Sequence, residues 1–232
     1  MKKLIITLLA LVPVLAFAAG PAVPVDLANN DLADKESLKR GFKAYINYCL
    51  GCHTLQYQRY NRTFADLGIS DEEGAAEWMY TGEKPGDHIT NTMPAKEAAA
   101  WFGAAPPDLT LEARLKNPDW IYTYLRSFYV DKDRPFGVNN KVFKDVGMPH
   151  VLQDLQGVRT MDENGNLSPA TGGMMSEAEY DAFVRDLTNF LEYVGEPNKL
   201  ERKSLGYWVL GFLFIFFFIS YLLKKEYWKD VH

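Results

Sequence analysis

The stretch from Ser204 to Leu223 contains 20 consecutive residues without a charged side chain. As a helix it spans about 30 Å, which matches the hydrocarbon thickness of a bilayer. A helix buried in a protein core is disfavoured by this length and by the aromatic residues near both ends. Those residues are Tyr207, Trp208, Tyr221, Tyr227 and Trp228. The sequence therefore predicts one transmembrane helix over residues 204–223.

Residues 1–18 have the composition of a secretory signal peptide. Two lysines precede an apolar stretch, and Ala16-Phe17-Ala18 provides a small-x-small cleavage site. Export predicts that residues 19–203 lie outside the cytoplasm, which in a bacterium is the periplasm, and that residues 224–232 form a short cytoplasmic tail at the inner membrane. Basic residues are balanced on the two sides of the helix, so this orientation rests on the signal peptide.

Removal of the signal peptide would leave an acidic chain. Of the 25 basic residues 23 remain against 30 acidic ones, which gives a net charge of −7. This charge offers no reason to expect a nucleic-acid partner, and it suits fast, salt-sensitive docking with a basic protein. The acidic run Asp71-Glu72-Glu73 could contribute, although such a run more often forms a solvated surface.

The two cysteines of the chain lie in the segment Cys49-Leu50-Gly51-Cys52-His53. Cys-x-x-Cys-His is the attachment signature of a c-type haem. Each thiol can add to one haem vinyl group, and the histidine that follows is held under the iron as an axial ligand. The sequence therefore predicts one covalently bound haem c, anchored by Cys49 and Cys52 and ligated by His53.

Three further roles of a cysteine pair agree less well with this sequence. A structural zinc site usually needs four cysteine or histidine ligands, and no second pair accompanies this one. A structural disulfide would close too short a loop to contribute much stability. A dithiol redox motif needs the two cysteines but not His53, so a haem-free, membrane-anchored thiol–disulfide exchange protein stays open as an alternative.

The motif leaves the second iron ligand open. Methionine, histidine or no ligand are all possible, and the choice separates electron carriers from ligand-binding haems. Met148 follows a glycine that permits close backbone approach and precedes a proline that restricts the chain. Met93 and His150 are the alternatives. The remaining methionines are expected to fill gaps in the core, and these are Met79, Met161, Met174 and Met175.

About 185 residues between the hydrophobic ends suffice for one domain with a core. Three helices are indicated: one that leads into the haem motif with Ser37 as its N-cap, one that starts with Pro118, and one behind the capping box Ser176-Glu177-Ala178-Glu179. No long segment alternates with the period of a strand. The sequence predicts a mainly α fold with long loops over residues 80–116 and 129–175.

The order of further segments resembles bacterial cytochrome c1, the haem subunit of the cytochrome bc1 complex (quinol:cytochrome c oxidoreductase). The resemblance covers almost the whole mature chain and implies a cytochrome c-like haem domain followed by one C-terminal transmembrane helix. It rests on residues 49–53, Ala105-Pro106-Pro107-Asp108-Leu109-Thr110 with Arg114, Gly147-Met148-Pro149, Ser168-Pro169-Ala170-Thr171, Glu196-Pro197 and Arg202-Lys203.

The resemblance implies roles for three residues outside the cysteine motif. Met148 corresponds to the sixth haem ligand, and methionine ligation raises the reduction potential. Pro107 falls in the segment that lines the haem pocket. Arg114 falls where an arginine contacts a haem propionate, which a guanidinium group can pair with bidentately. An exposed surface position is the alternative for Arg114.

The same resemblance implies an electron carrier that is not an enzyme on its own. One electron would pass from the Rieske iron–sulfur protein to the haem and on to a c-type cytochrome. Cytochrome b and the Rieske protein are the implied partners in the membrane, within a dimeric complex. The alternative is a membrane-anchored mono-haem cytochrome c of another respiratory chain.

Overall fold

The computed structural model describes residues 24–229, so the predicted signal peptide and the last three residues of the predicted tail lie outside the described residues. The described helices are α1 (Lys35–Tyr48), α2 (Tyr60–Leu67), α3 (Asp71–Glu77), α4 (Ala95–Phe102), α5 (Glu112–Lys116), α6 (Pro118–Arg126), α7 (Gln153–Gln156), α8 (Glu177–Gly195) and α9 (Lys199–Tyr227). Strands pair antiparallel as β1 (Leu55–Arg59) with β2 (His88–Ile89), β3 (Phe128–Val130) with β4 (Val138–Asn140), and β5 (Gly157–Val158) with β6 (Thr171–Gly172). The mainly α prediction is confirmed.

Helices α1 and α8 form the main packing contact of the domain. Gly41 of α1 permits their close crossing, because a Cβ at this position would overlap the backbone carbonyl of Asp186 in α8. Phe42 fills the centre of the core. Its ring stacks on Trp78 with a centroid distance of 5.4 Å and is tilted against Phe190 at 5.1 Å. The crossing fixes the end of α1 that leads into the cysteine motif.

The three predicted helices are present, and one begins with a different cap. Asp34, not Ser37, caps α1, since its carboxylate accepts a hydrogen bond from the Ser37 amide at 3.0 Å. The helix starts directly after Asp34, which places Ser37 inside the first turn. Asn117 caps α6 with Pro118 in its first position, and the capping box Ser176–Glu179 of α8 has both of its hydrogen bonds.

Short elements occupy the segments predicted as long loops. Residues 80–116 contain β2, α4 and α5, and residues 129–175 contain β4, α7 and the β5–β6 pair. These helices have 4 to 8 residues, too few for their hydrophobic period to be recognised in the sequence. A second, smaller hydrophobic cluster lies here and consists of Phe128, Val138 and Val146.

Three residues separate the end of α8 from the start of α9, which has 29 residues. Its mean hydropathy reaches 2.1, and by length and composition it can cross a membrane. Two ion pairs join its first turn to the end of α8. The ammonium group of Lys199 lies 2.5 Å from the Glu192 carboxylate, and Arg202 pairs with Glu196. The helix is therefore tied to the domain at its start.

Candidate functional site

The Cys-x-x-Cys-His segment forms a tight turn at the C-terminal end of α1. The amide groups of Cys52 and His53 donate to the carbonyl oxygen of Cys49 at 3.0 and 2.8 Å. From the loop before α4, the side-chain amide of Asn91 donates to the carbonyl oxygen of Leu50 at 2.8 Å. These hydrogen bonds hold the motif in one backbone conformation, and Asn91 is a contributor that the sequence did not indicate.

Both cysteines are free thiols, with Cys49 buried and Cys52 half-buried. Burial raises the pKa of Cys49 to about 12, the neighbouring Cys52 adds to this effect, and burial raises the pKa of Cys52 as well. Cysteines that act in thiol–disulfide exchange have a lowered pKa. The pKa values of both thiols are thus shifted in the direction opposite to that of an exchange cysteine.

The imidazole ring of His53 is held by the backbone of Pro107. Its Nδ1 lies 2.7 Å from the Pro107 carbonyl oxygen. A carbonyl oxygen can only accept, so Nδ1 carries the ring proton and Nε2 keeps its lone pair. This tautomer is the one that a metal-ligating histidine uses. Burial lowers the pKa of His53 against the opposing effect of the Pro107 hydrogen bond, which favours the neutral ring.

The carboxylate of Asp108 ties the strand after the histidine to the segment that holds Pro107. One oxygen accepts hydrogen bonds from the Thr54 hydroxyl at 2.6 Å and the Gln56 amide at 2.7 Å. The other oxygen accepts from the Thr110 amide at 3.0 Å. Because three donors converge on one carboxylate, the carbonyl of Pro107 keeps a fixed position relative to the imidazole ring.

Met148 packs against the smaller hydrophobic cluster. Its sulfur accepts a hydrogen bond from the hydroxyl group of Tyr124 at 3.3 Å. Tyr124 also packs against the main cluster, which contains Cys49. Tyr124 therefore joins the main cluster, which contains Cys49, to Met148.

Two buried asparagines shape the loop that ends at Met148. The side-chain oxygen of Asn139 accepts from the Asp145 amide at 2.9 Å, and that of Asn140 accepts from the Val142 amide at 3.0 Å. The side-chain amide of Asn140 donates to the backbone carbonyl of Tyr124 at 2.7 Å. The loop is thus fastened to the same helix that supplies the tyrosine hydroxyl.

Gly147 provides a second constraint on this loop. A Cβ at Gly147 would overlap the backbone carbonyl oxygen of Phe102 at the end of α4. The close approach that the Gly-Met-Pro sequence predicted is present, and its partner is a helix end that the sequence did not indicate. The position of Met148 therefore depends on α4 as well as on its own loop.

His150, considered as an alternative ligand, has other partners. Its ring lies parallel to that of Phe128 at a centroid distance of 4.7 Å, and its Nε2 faces the side-chain oxygen of Gln156 at 2.8 Å. Burial lowers its pKa to about 4. The amide of Met93 donates to the Asn91 side chain at 3.1 Å, which places that loop beside the cysteine motif. The His150 ring is thus engaged elsewhere, and Met148 and Met93 stay the candidate ligands.

Arg114 lies beside the C-terminal end of α8. Its Cγ would be 3.2 Å from a Cβ built on Gly195, and it lines a groove together with Glu192 and Glu196. Within residues 24–229 no hydrogen bond of its side chain reaches His53 or the sulfur of Met148. Arg114 thus makes no direct hydrogen bond to these two residues, and its contact with a haem propionate stays a prediction.

Lys116 lies on the same short helix as Arg114, but it contacts Trp120 and does not line the groove. Its ammonium nitrogen lies 5.4 Å from the centroid of the Trp120 ring, and that ring stacks on Tyr124 at 5.1 Å. Tyr124 in turn contacts Met148. Lys116 thus lies next to the stacked rings of Trp120 and Tyr124. The sequence analysis did not identify Lys116, which is two residues after Arg114.

The residues present fit a haem. The two thiols stand unpaired directly before a histidine whose Nε2 lone pair is available. Trp120 and Tyr124 pack against the hydrophobic cluster that contains Cys49, and Tyr124 contacts the thioether sulfur of Met148. Imidazole and thioether are common axial ligands of haem iron, and aromatic rings suit its apolar faces.

Comparison with known proteins places the chain in a family. A family model described as the Cytochrome C1 family matches residues 29–231. The chain is 51% identical to cytochrome c1 of Allochromatium vinosum over 100% of both chains. It is 46% identical to the ammonia monooxygenase gamma subunit of Nitrosomonas europaea over 100% of this chain and 99% of that protein. It is 31% identical to cytochrome b/c1 of Bradyrhizobium diazoefficiens over 86% of this chain and 34% of that protein.

A mainly helical domain with this donor set, followed by one helix long enough to cross a membrane, defines the class of haem-containing electron carriers. The family match is more specific. The chain belongs to the cytochrome c1 family, a family of haem proteins in respiratory electron transport. The resemblance indicated by the ordered sequence segments is confirmed.

Proposed function

We propose that the chain carries one covalently bound haem c and passes single electrons from the Rieske iron–sulfur protein to a c-type cytochrome, as a subunit of the cytochrome bc1 complex. The observation that carries this proposal is the hydrogen bond between His53 and Pro107, which leaves Nε2 free on the residue directly after the two thiols. When bound, the haem supplies an iron centre that takes up and releases one electron.

Each residue of the site has one task in this proposal. Cys49 and Cys52 hold the haem by thioether bonds, and His53 and Met148 are the iron ligands. The carbonyl partner of the histidine prevents its ring from rotating, and the Tyr124 hydroxyl draws electron density from the methionine sulfur. No residue has to bind or activate a substrate, so the chain is an electron carrier and not an enzyme on its own.

We further propose that residues 1–18 are a cleaved signal peptide, that residues 19–203 form the haem domain in the periplasm, and that residues 204–223 cross the inner membrane to a cytoplasmic tail at 224–232. The apolar, fully exposed surface of α9 supports the membrane crossing. The signal-like composition of the first residues supports the orientation.

Cytochrome b is the proposed neighbour of α9, within a dimeric complex. The relative from Bradyrhizobium diazoefficiens supports it, since its name joins b and c1 in one protein. The proposed acceptor is a basic c-type cytochrome. Helix α3 supports this choice, because Asp71, Glu72 and Glu73 are all exposed and make no ion pair within the described residues.

The relative from Nitrosomonas europaea favours a second candidate. Its name assigns that protein to an ammonia monooxygenase, and its identity to this chain is 46%. The corresponding function here would be a haem subunit of a membrane monooxygenase. A membrane-anchored mono-haem cytochrome c without permanent partners is the third possibility. All three share the haem site and differ in what accompanies the chain.

One purification tests the haem and the partners together. The tagged full-length chain, made in its own host, is isolated in mild detergent and studied by haem staining after denaturing electrophoresis and by a reduced haemochrome spectrum. We expect stain on the chain itself, both c-type and b-type haem in the spectrum, and an iron–sulfur subunit. Copurification of monooxygenase subunits, or of the chain alone, would contradict the bc1 assignment.

Matched variants test the residues. Replacing Cys49 and Cys52 by serine should abolish the stain. Met148→Ala should remove the methionine-to-iron absorption band and lower the reduction potential, while Met174→Ala, on a side chain that is 75% exposed, should change neither. An unchanged spectrum in Met148→Ala would exclude it as a ligand and leave Met93 as the candidate.

A further inference from the structure

A groove lies where the haem domain meets α9, and its volume is about 260 Å³. Its charged lining comes from α5, α8 and the first residue of α9. We call it the junction groove and define it by Arg114, Glu192, Glu196 and Lys199. Cys49, Cys52, His53, Pro107 and Met148 do not line the junction groove, so it is a separate feature of the described structure.

The junction groove lies at the depth of lipid headgroups when α9 crosses a membrane. Lys199 precedes the uncharged stretch by five residues, which is about 7.5 Å along a helix axis. The uncharged stretch fills a hydrocarbon core of about 30 Å, and the headgroup layer adds about 5 to 7.5 Å on each side. The groove therefore opens into the layer that contains the lipid phosphates.

Arg114 is the cation of the junction groove that is available to a ligand. Lys199 is paired with Glu192 at 2.5 Å, and Glu196 is paired with Arg202. Within residues 24–229 no carboxylate oxygen lies within 4.0 Å of the Arg114 guanidinium nitrogens, and the side chain is exposed. Both carboxylates of the groove are thus engaged by other cations.

The charge on Glu196 is secured by its surroundings. The hydrogen bond from Arg202 is the largest cause that lowers its pKa, and the charges of Arg202, Arg114 and Lys199 act in the same direction. Glu196 therefore stays ionised and bound to Arg202 at neutral pH. With Arg202 included, the junction groove has three cations against two carboxylates, and the excess positive charge lies at Arg114.

We propose that the junction groove binds the phosphate group of a membrane phospholipid, with Arg114 as its main ligand. A guanidinium group pairs bidentately with phosphate oxygens, and it stays charged at any physiological pH. The acyl chains lie along α9, which is exposed over its whole length and apolar beyond Ser204. The inference depends on α9 crossing a membrane and is independent of the electron-transfer route.

Phospholipid retained by the purified full-length complex provides the first test. Organic phosphate and lipid mass spectrometry give the phospholipid content per chain. Arg114→Gln should retain phospholipid about fivefold more weakly, the factor that corresponds to about 1 kcal/mol per basic residue at a membrane surface. Arg114→Lys should lie between the wild type and Arg114→Gln, since it keeps the charge and loses the bidentate geometry. Lys116→Gln should behave as wild type, since the Lys116 ammonium group lies over the Trp120 ring. Equal retention in Arg114→Gln, or an equal loss in Lys116→Gln, would overturn the proposal.

A second test uses the wild-type chain and is independent of how any variant folds. The complex is placed in nanodiscs that contain phosphatidylglycerol with a photoactivatable headgroup, and the cross-linked peptides are mapped. Cross-links at residues 113–118 or 192–199 are expected, and cross-links confined to α9 beyond Ser204 would overturn the proposal. The same cross-links are expected in excess inorganic phosphate, and their loss there would overturn the proposal in favour of free phosphate as the occupant.

Discussion

The hydroxyl group of Tyr124 donates a hydrogen bond to the sulfur of Met148 across 3.3 Å. Burial raises the pKa of Tyr124, so the hydroxyl keeps its proton at all physiological pH values. The tyrosine is in turn fixed by Asn140, whose amide donates to its backbone carbonyl at 2.7 Å. A thioether with a permanent hydrogen-bond donor is a weaker electron donor to a metal than one without.

Tyr124→Phe should lower the reduction potential of the haem. The loss of one hydrogen bond, about 0.5 to 1.5 kcal/mol net, corresponds to about 20 to 65 mV in a one-electron couple. A redox titration of the purified complex measures the shift. Tyr129→Phe serves as the control, because the Tyr129 hydroxyl has no hydrogen-bond partner among the described residues. An equal shift of the reduction potential in both variants would mean that loss of the hydrogen bond to Met148 does not cause the shift.

Asp108→Ala should destabilise the domain by about 2 to 3 kcal/mol, since three donors lose a charged acceptor. Thermal unfolding of the full chain in detergent, followed by circular dichroism, measures the change. The control is Asp133→Ala, on an exposed carboxylate whose side chain accepts no hydrogen bond in the described structure. If Asp108→Ala were as stable as this control, the carboxylate would not be what fixes the Pro107 carbonyl.

Gly147→Ala should displace the loop of Met148, because the added methyl group cannot coexist with the carbonyl oxygen of Phe102. We expect a loss of about 1 to 3 kcal/mol of stability, as for other overpacked positions. The methionine-to-iron band should weaken at the same time. Gly86→Ala is the matched control, since nothing lies within 4 Å of a Cβ built there. A normal band in Gly147→Ala would contradict the role of α4.

Stability should fall in acid partly through Glu179. Hydrogen bonds from the side chain and then the backbone of Ser176 lower the pKa of Glu179 in the folded protein. A lowered folded pKa gives stability that is present above the unfolded value of about 4.3 and is lost as the pH falls through the folded value. The free energy of unfolding is measured with denaturant at a series of pH values. We expect it to fall less steeply in acid for Glu179→Gln than for the wild type. The same pH dependence in both proteins would show that the capping box does not contribute to the loss of stability in acid.

The features that the sequence predicted are local ones. The cysteine motif, the capping box of α8 and the uncharged stretch of α9 each lie within about 20 consecutive residues, where spacing alone carries the information. The predicted cap of α1 was wrong because Asp34 and Ser37 are both good caps, three residues apart. Only the position of the first helical turn distinguishes them.

The features that the sequence did not predict join distant segments. Asp108 meets Thr54 across 54 positions, and Tyr124 meets Met148 across 24. The sequence also could not predict which of the neighbouring residues Arg114 and Lys116 faces the site. Two residues that are two positions apart on a helix project in nearly opposite directions, and a helix of five residues has too short a pattern to show which side faces the site.

The crossing of α1 and α8 has a consequence for the order of folding. It joins Arg40 to Asp186, which are 146 positions apart, and contacts of such separation form late. Cys49 is buried in the cluster that α8 completes. Under the proposed covalent attachment of haem, the thiol of Cys49 would therefore have to react before α8 docks.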